Sequence, residues 1–286
     1  MTSTIDLHMH STISDGTDLP EILLDKVVES GIQIFSLTDH DAINGCGIIQ
    51  QKIVNKGLIG KIQFISGVEF TCKKNDLRCH ILGYNFDLNA QSIYKVVSIG
   101  DKLRFQKFEN RIRYLRNVHK ISFTDKEMGW LCSLSSVGKP HIAQILVKKG
   151  LATSVTEAIK KYIDGCPNGD IRQDADNVVQ AIIDAGGTAV WAHPLGGEGE
   201  IRLSRGKFEK YLYSLMDSGI KGLECYYSRY SMDNINYLQC CAEINGLYIS
   251  GGSDYHGETK GILMGVLNNQ DIAIDKAKLT ILKQFY

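Results

Sequence analysis

Short β-branched runs alternate with amphipathic helical stretches along most of this chain, and that alternation limits the folds open to it more than any other feature. Seven runs read as strands, at 4–10 (TIDLHMH), 32–40 (IQIFSLTDH), 62–70, 78–86, 188–194, 222–227 and 247–256. Helical periodicity fills the intervals 19–29, 43–56, 177–185, 208–217 and 233–243, with glycine close behind each at Gly31, Gly57, Gly186, Gly219 and Gly246. A glycine just past a helix is a stop signal, since it enters the left-handed region at little cost. Strand–helix alternation predicts an α/β fold with a mainly parallel sheet, open or closed into a barrel. The runs at 62–70 and 78–86 lie too close together for a crossover helix, so the winding is expected to be distorted there.

One interval breaks the rhythm. From about 98 to 177 the pattern is helical with no convincing strand, and Phe105, Phe108, Ile112 and Leu115 fall on one face. The expected organisation is therefore a barrel in two parts, 1–97 and 178–286, interrupted by an all-helical insertion at 98–177. The first insertion helix carries Lys102, Arg104, Lys107, Arg111, Arg113, Arg116 and Lys120 against Asp101 and Glu109. Such a stripe is either a solvated face or a basic lid over an anionic substrate. The whole chain balances 32 basic against 32 acidic side chains, which excludes a protein that coats long nucleic acid by net charge alone. No apolar run reaches the ~20 residues of a membrane span and the start has no basic region before an apolar one, so a cytoplasmic protein without a membrane or obligate protein partner is expected. Eight scattered cysteines without a CxxC pair read as free thiols.

The histidines carry the chemistry. His8, His10, His40, His80, His193 and His256 lie at or near predicted strand ends, which in a parallel α/β fold gather on one face. His8 and His10, two apart, would project to the same side of an ideal strand. Asp15, Glu69 and Asp254 accompany them in SDG, GVEF and GSDYH. Imidazoles mixed with carboxylates are ligands for manganese, zinc or iron, and a set drawn from many strands can hold more than one ion. Burying all these groups separately would require a private hydrogen-bond partner for each. Asp39 and Asp41 flank His40 and could orient it, with helix capping an alternative role for Asp41.

In order along the chain, DLHMHS, SDG, TDHD, GVE, HILGY, GKPHIA, AHP, GLE and GGSDYHG resemble the motifs of the PHP (polymerase and histidinol phosphatase) superfamily of metal-dependent phosphoesterases. The resemblance spans nearly the whole chain. It is strongest to small members that act on 3′,5′-nucleoside bisphosphates, some of which also trim short RNA from the 5′ end. It implies a distorted (β/α)7 barrel with two or three divalent ions at its mouth. By motif, it assigns His8, His10, Glu69 and Asp254 to one ion, Asp15, His40 and His256 to a second, and Glu69, His80 and His193 to a third. Catalysis would centre on Asp15, His40, Glu69, His193 and Asp254. Bound divalent cations suit phosphate-ester hydrolysis because they acidify water and offset charge on the reacting oxygens.

Lys139-Pro140-His141 resembles the Arg-Pro-His run that grips a phosphate in the bisphosphatase-like members, with a point charge in place of the arginine fork. Arg111, Ser228 and Arg229 are further candidates for holding substrate, and Glu224 for ordering the site. Tyr226 and Tyr227 are candidates for contact with a base or sugar, while Cys79, Cys225, Trp130 and Trp191 are expected to pack. The implied substrate is a small phosphorylated metabolite, first a 3′,5′-nucleoside bisphosphate from which the 3′-phosphate is removed. A cyclic sugar or nucleotide phosphate, histidinol phosphate and short 5′-phosphorylated RNA are alternatives, as is a non-catalytic metal or nucleotide sensor.

Overall fold

The computed structural model describes residues 4–134, 136–167, 171–197, 202–267 and 272–286. Its main sheet runs β1 (Ile5–Asp6), β2 (Ile34–Leu37), β3 (Gln63–Lys74), β4 (Leu77–Tyr84), β6 (Thr188–Trp191), β7 (Gly222–Tyr227), β8 (Tyr248–Gly252) in spatial order. These seven strands coincide with the seven read from the sequence. Parallel contact between Met9 and Tyr255, with Asp254 N–H donating to His8 O (2.9 Å) and His10 N–H to Tyr255 O (2.8 Å), brings the last strand back to the first. The sheet is thus a nearly closed barrel of the distorted (β/α)7 type. A Cβ at Gly252 would collide with the backbone of His8, so the closure requires glycine there.

Most pairings are parallel, but β4 is antiparallel to both β3 and β6. The two-residue Asn75-Asp76 connection between β3 and β4 leaves no room for a helix, and the reversal carries the beginning of β4, with His80, to the end of the barrel where the parallel strands finish. Strands β2, β6 and β7 are buried at every position, as expected for strands covered on both faces. The covering helices are α1 (Pro20–Glu29), α2 (Asn44–Asn55), α7 (Ala175–Asp184), α8 (Arg205–Ser218) and α9 (Met232–Ile244). In α1, Pro20 occupies the first turn, where its missing N–H costs nothing, and Leu23, Leu24 and Val27 form the buried stripe.

Helix α3 (Gln91–Asn117) spans two cores. Ile93 and Val96 pack into the barrel core, whereas Phe108, Ile112 and Leu115 belong to a separate cluster with Ile121, Phe123 and Leu131. That cluster is completed by α4 (Asp125–Ser133), α5 (Lys139–Lys148) and α6 (Val155–Ala158), which runs on into a π-helical turn at Ile159–Ile163. A capping box, with Thr124 Oγ1 accepting from Glu127 N–H and Glu127 from Thr124 N–H, starts α4. One sequence expectation fails here and another holds only in part. The stretch read as free of strands contains β5 (Gln173–Asp174), a two-residue pairing with β3 too short to leave a periodic signal, and Phe105, though its ring lies 5.9 Å from that of Phe108, is half exposed. A further small hairpin, β9 (Val266–Leu267) with β10 (Ile272–Ala273), lies outside the barrel. No helix among the described residues is long and apolar enough to cross a membrane.

Candidate metal centre

Six histidines and three carboxylates from seven segments of the chain converge at the end of the barrel. Glu69, in the middle of the long β3, is the hub. Its Oε2 lies 3.2 Å from His8 Nε2, His10 Nε2 and His40 Nδ1, and its Oε1 lies 2.8 Å from His80 Nδ1 and 2.9 Å from His193 Nε2. Asp254 Oδ1 stands 3.3 Å from His10 Nε2, and Asp15 Oδ1 stands 3.2 Å from His256 Nε2. His8, His10, Glu69 and Asp254 form one group able to share a cation; His10, Asp15, His40 and His256 form another; His40, Glu69 and His80 a third. Two of these residues sit in strained backbone, His193 at φ 28° and Asp254 at φ 57°, and such left-handed positions bend the chain just where strands end.

For three of the imidazoles the surrounding hydrogen bonds fix which nitrogen faces the cluster. His8 Nδ1 meets Glu224 Oε1 at 2.7 Å, so Nδ1 donates to the carboxylate and Nε2 is the nitrogen turned to the cluster. His256 does the same with the carbonyl of Asp254, 2.9 Å from Nδ1. His10 Nδ1 is 3.4 Å from Ser14 Oγ, which in turn donates to Asp39 Oδ1 at 2.6 Å. Asp39 also accepts from Ser11 N–H and Ser11 Oγ. It therefore orders His10 and the loop bearing Asp15, and not its neighbour His40 as the sequence suggested. Asp41 neither orients His40 nor caps α2: it accepts from Thr71 N–H and pairs with Arg104 of α3. Glu224, expected only to order the site, also accepts from His193 N–H at 2.7 Å.

The electrostatics call for cations. Burial alone would raise the pKa of each carboxylate, yet the histidines around Glu69 and Asp15, and Lys260 with the histidines around Asp254, hold all three well below the usual range. Burial likewise opposes charge on His8, but Glu224, Glu69 and Asp254 outweigh it and raise its pKa well above the ordinary value, while burial pushes His40 down to about 3. His8 Nε2, His10 Nε2, His40 Nδ1 and Asp15 Oδ1 are buried without a well-aligned hydrogen-bond partner. Buried donor atoms left in that condition are expensive unless a cation completes them. The nitrogen–oxygen donor set and its inward lone pairs fit divalent transition ions.

Several residues were invisible from motif reading. Lys260 donates to Asp254 Oδ2 at 2.6 Å beside the Tyr227 hydroxyl at 3.1 Å, leaving Oδ1 for the cluster. Asp6 is fully buried and accepts from His8 N–H, Ser253 N–H, Ser253 Oγ and Gly265 N–H, tying the first strand to the last. Its sequence signal was its parity with His8 and His10. Tyr226 and Tyr227 are buried and donate or accept within the protein, so neither offers a face to a base. Cys79, Cys225 and Trp191 are core residues as expected, but Trp130 is 36% exposed, edge-on to His141.

Beyond the cluster, the basic helix resolves into two faces. Lys102, Arg113 and Arg116 are solvated, while Arg104, Lys107 and Arg111 turn inward along one stripe; Lys120, read as part of this helix, lies past its end at Asn117. Lys107 is 7% exposed, and burial together with Arg104, Arg111 and Arg172 lowers its pKa to about 7 despite Asp41. His141 is buried, with Nδ1 accepting from Gly138 N–H; burial lowers its pKa while Asp15 raises it, which places it within electrostatic reach of the cluster. Lys139 is not brought into the cluster but pairs with Asp164 at 2.6 Å. Ser228 is buried with Oγ unsatisfied, and Arg229 donates to Lys260 O at 3.3 Å.

Comparison with known proteins places this geometry among relatives. The pattern of the PHP domain family matches residues 6–171. The chain is 27% identical to a 3′,5′-nucleoside bisphosphate phosphatase of Chromobacterium violaceum, covering 91% of this chain and 89% of that one. It is 27% identical to the 5′-3′ exoribonuclease Rnm of Escherichia coli, with 91% and 87% covered. A solved structure from Bifidobacterium adolescentis, named as a candidate metal-dependent phosphoesterase, superposes with a TM-score of 0.82 at 22% identity, covering all of this chain and 96% of the other, which establishes the shared fold.

Proposed function

Because this chain belongs to the PHP-domain family of metal-dependent phosphoesterases, we propose that it hydrolyses a phosphate monoester of a small metabolite, with the 3′-phosphate of a 3′,5′-nucleoside bisphosphate as the leading substrate. The observation that carries this reading is the convergence of five imidazoles on the two oxygens of Glu69. His8, His10, Glu69 and Asp254 would hold one ion, Asp15, His40 and His256 a second, and Glu69, His80 and His193 a third. Divalent ions held there would lower the pKa of water for attack on phosphorus and offset charge on the attacking and leaving oxygens.

The protein's own contribution is orientation. Glu224, the Ser14–Asp39 relay and the Asp254 carbonyl keep the lone pairs of His8, His10 and His256 aimed inward, so no reorganisation is needed when substrate arrives. Asp15, His40, Glu69, His193 and Asp254 form the catalytic set. The second phosphate of a bisphosphate would be met by Arg111, His141, Ser228 and Arg229. Lys139 would join them only by leaving Asp164, an exposed pair worth little. Phosphate release from nucleoside bisphosphates, cyclic phosphates and histidinol phosphate, with manganese or zinc supplied, tests this reading. Turnover of a bisphosphate above the others supports it, and none would end it.

Stepwise removal of mononucleotides from short 5′-phosphorylated RNA is a second reading, supported by the inward basic stripe of α3 and by the named activity of the Escherichia coli relative. It predicts steep salt dependence, which a metabolite enzyme lacks.

A further inference from the structure

We infer that Lys107, on the inward stripe of α3, is a site of modification by carbon dioxide, its buried side-chain amine taking up the gas as a carbamate. The inference stands apart from the phosphoesterase reading, because Lys107 is not among the donors of the metal centre. Lys107 is 7% exposed, and among the described residues no hydrogen bond or ion pair holds its Nζ. An ammonium left without an acceptor at that depth is costly, whereas a neutral amine is tolerated. Arg104 and Arg111 lie three and four residues away on the same side of the helix, and Arg172 adds a third positive field. Asp41 is the carboxylate that acts on this lysine, and it is already engaged by Arg104 and by Thr71 N–H.

The packing around Asp41 leaves donors in excess. A Cβ at Gly100 would come within 2.9 Å of Asp41 Cβ and 3.0 Å of Gln173 Nε2, so α3 lies hard against both residues. Arg104 Nε and Gln173 Nε2 are buried there with no hydrogen-bond partner. Two such donors and an amine without an acceptor, gathered about one occupied carboxylate, call for further oxygen atoms. Carbon dioxide supplies two by adding three atoms to a side chain already in place. The chemistry needs no other reactant. The lone pair of the neutral amine attacks carbon, a C–N bond forms as one C=O π pair moves onto oxygen, and the nitrogen releases a proton to solvent. Burial favours the neutral amine that reacts, while the guanidinium groups disfavour its ammonium form and would offset the charge of the carbamate. With its pKa at about 7, about 90% of this amine is neutral at pH 8, against about 0.3% of a lysine at 10.5. The product carries a negative charge at the centre of an otherwise basic stripe.

The test equilibrates the full chain at pH 8 with isotopically labelled bicarbonate and the carbon dioxide it holds in solution. A trialkyloxonium salt then esterifies any carbamate, and peptide mass spectrometry locates it. Lys107 should carry at least about tenfold more label than a solvated lysine of the same helix such as Lys102. At fixed dissolved carbon dioxide the label should fall at least about tenfold between pH 8 and pH 6, where about 9% of the amine is neutral. Melting gives a second readout. At matched ionic strength bicarbonate should raise the melting temperature of the native chain, since the modification is favoured by the folded surroundings, and should leave Lys107→Met unmoved. Lys107 unlabelled at saturating bicarbonate, label spread equally over the solvated lysines, or an equal effect of bicarbonate on the melting of both proteins would overturn the inference. None of these readouts depends on turnover, so failure of the phosphoesterase reading is told apart from failure of this one.

Discussion

Lys107 gives a prediction whose size and sign both follow from the structure. Its stem lies among the residues of α3 and the barrel rim, and burial takes its pKa from 10.5 to about 7. The drop of about 3.5 units, at 1.36 kcal/mol each, corresponds to roughly 5 kcal/mol of destabilisation while the ammonium is held in the fold. Between about pH 7 and 10.5 the unfolded chain keeps this proton and the folded chain releases it. The unfolded state then binds more protons, so stability rises with pH across that window and the penalty is fully present below it. Lys107→Met keeps the length of the stem and removes the charge. In urea unfolding of the metal-free proteins, the variant should be more stable at pH 7 by a few kcal/mol, and the difference should shrink steadily towards pH 10. A difference independent of pH, or a variant less stable at pH 7, would refute the reasoning. An anionic ligand near the stripe should restore the charge, so phosphate binding at pH 8 should take up protons, visible as buffer-dependent heats in calorimetry.

Three other outcomes follow from the hydrogen bonds. Glu224→Gln should weaken metal affinity about 10–100-fold with the fold intact, because His8 loses the carboxylate that fixes its tautomer; metal titration of the two proteins checks this. Asp6→Ala strands four donors in the core and should cost about 3 kcal/mol in denaturant unfolding. Chelation should lower the melting temperature and abolish phosphate release together, and added manganese or zinc should restore both, since ions that bind only the folded cluster stabilise it by mass action; phosphate release that persists in chelator would contradict the proposed centre.

The barrel was legible because most of its strands are short, largely buried and punctuated by helices with glycine stops, a pattern that few other folds produce. The donor residues were legible for the complementary reason: histidines and acids recur at or near the ends of largely apolar strand runs, and so many polar groups gathered there need a purpose. What escaped the sequence depends on approach between distant segments. Nothing in TDHD says that Asp39 would reach His10 through Ser14, or that Asp41 would meet Arg104, sixty-three residues on. The basic helix looked uniform because charge counts ignore azimuth; only packing against the rim separates inward Arg104, Lys107 and Arg111 from the solvated remainder. β5 escaped too, because it is defined by a neighbour and not by its own two residues.

The most direct measurement is diffraction from crystals of the manganese- or zinc-loaded protein, recorded on both sides of the metal's absorption edge. The account predicts anomalous peaks at the end of the barrel within bonding distance of Glu69 and shared among His8, His10, Asp254 and the other donors. Loaded crystals with no peak there, or with metal only on surface histidines and carboxylates, would contradict it.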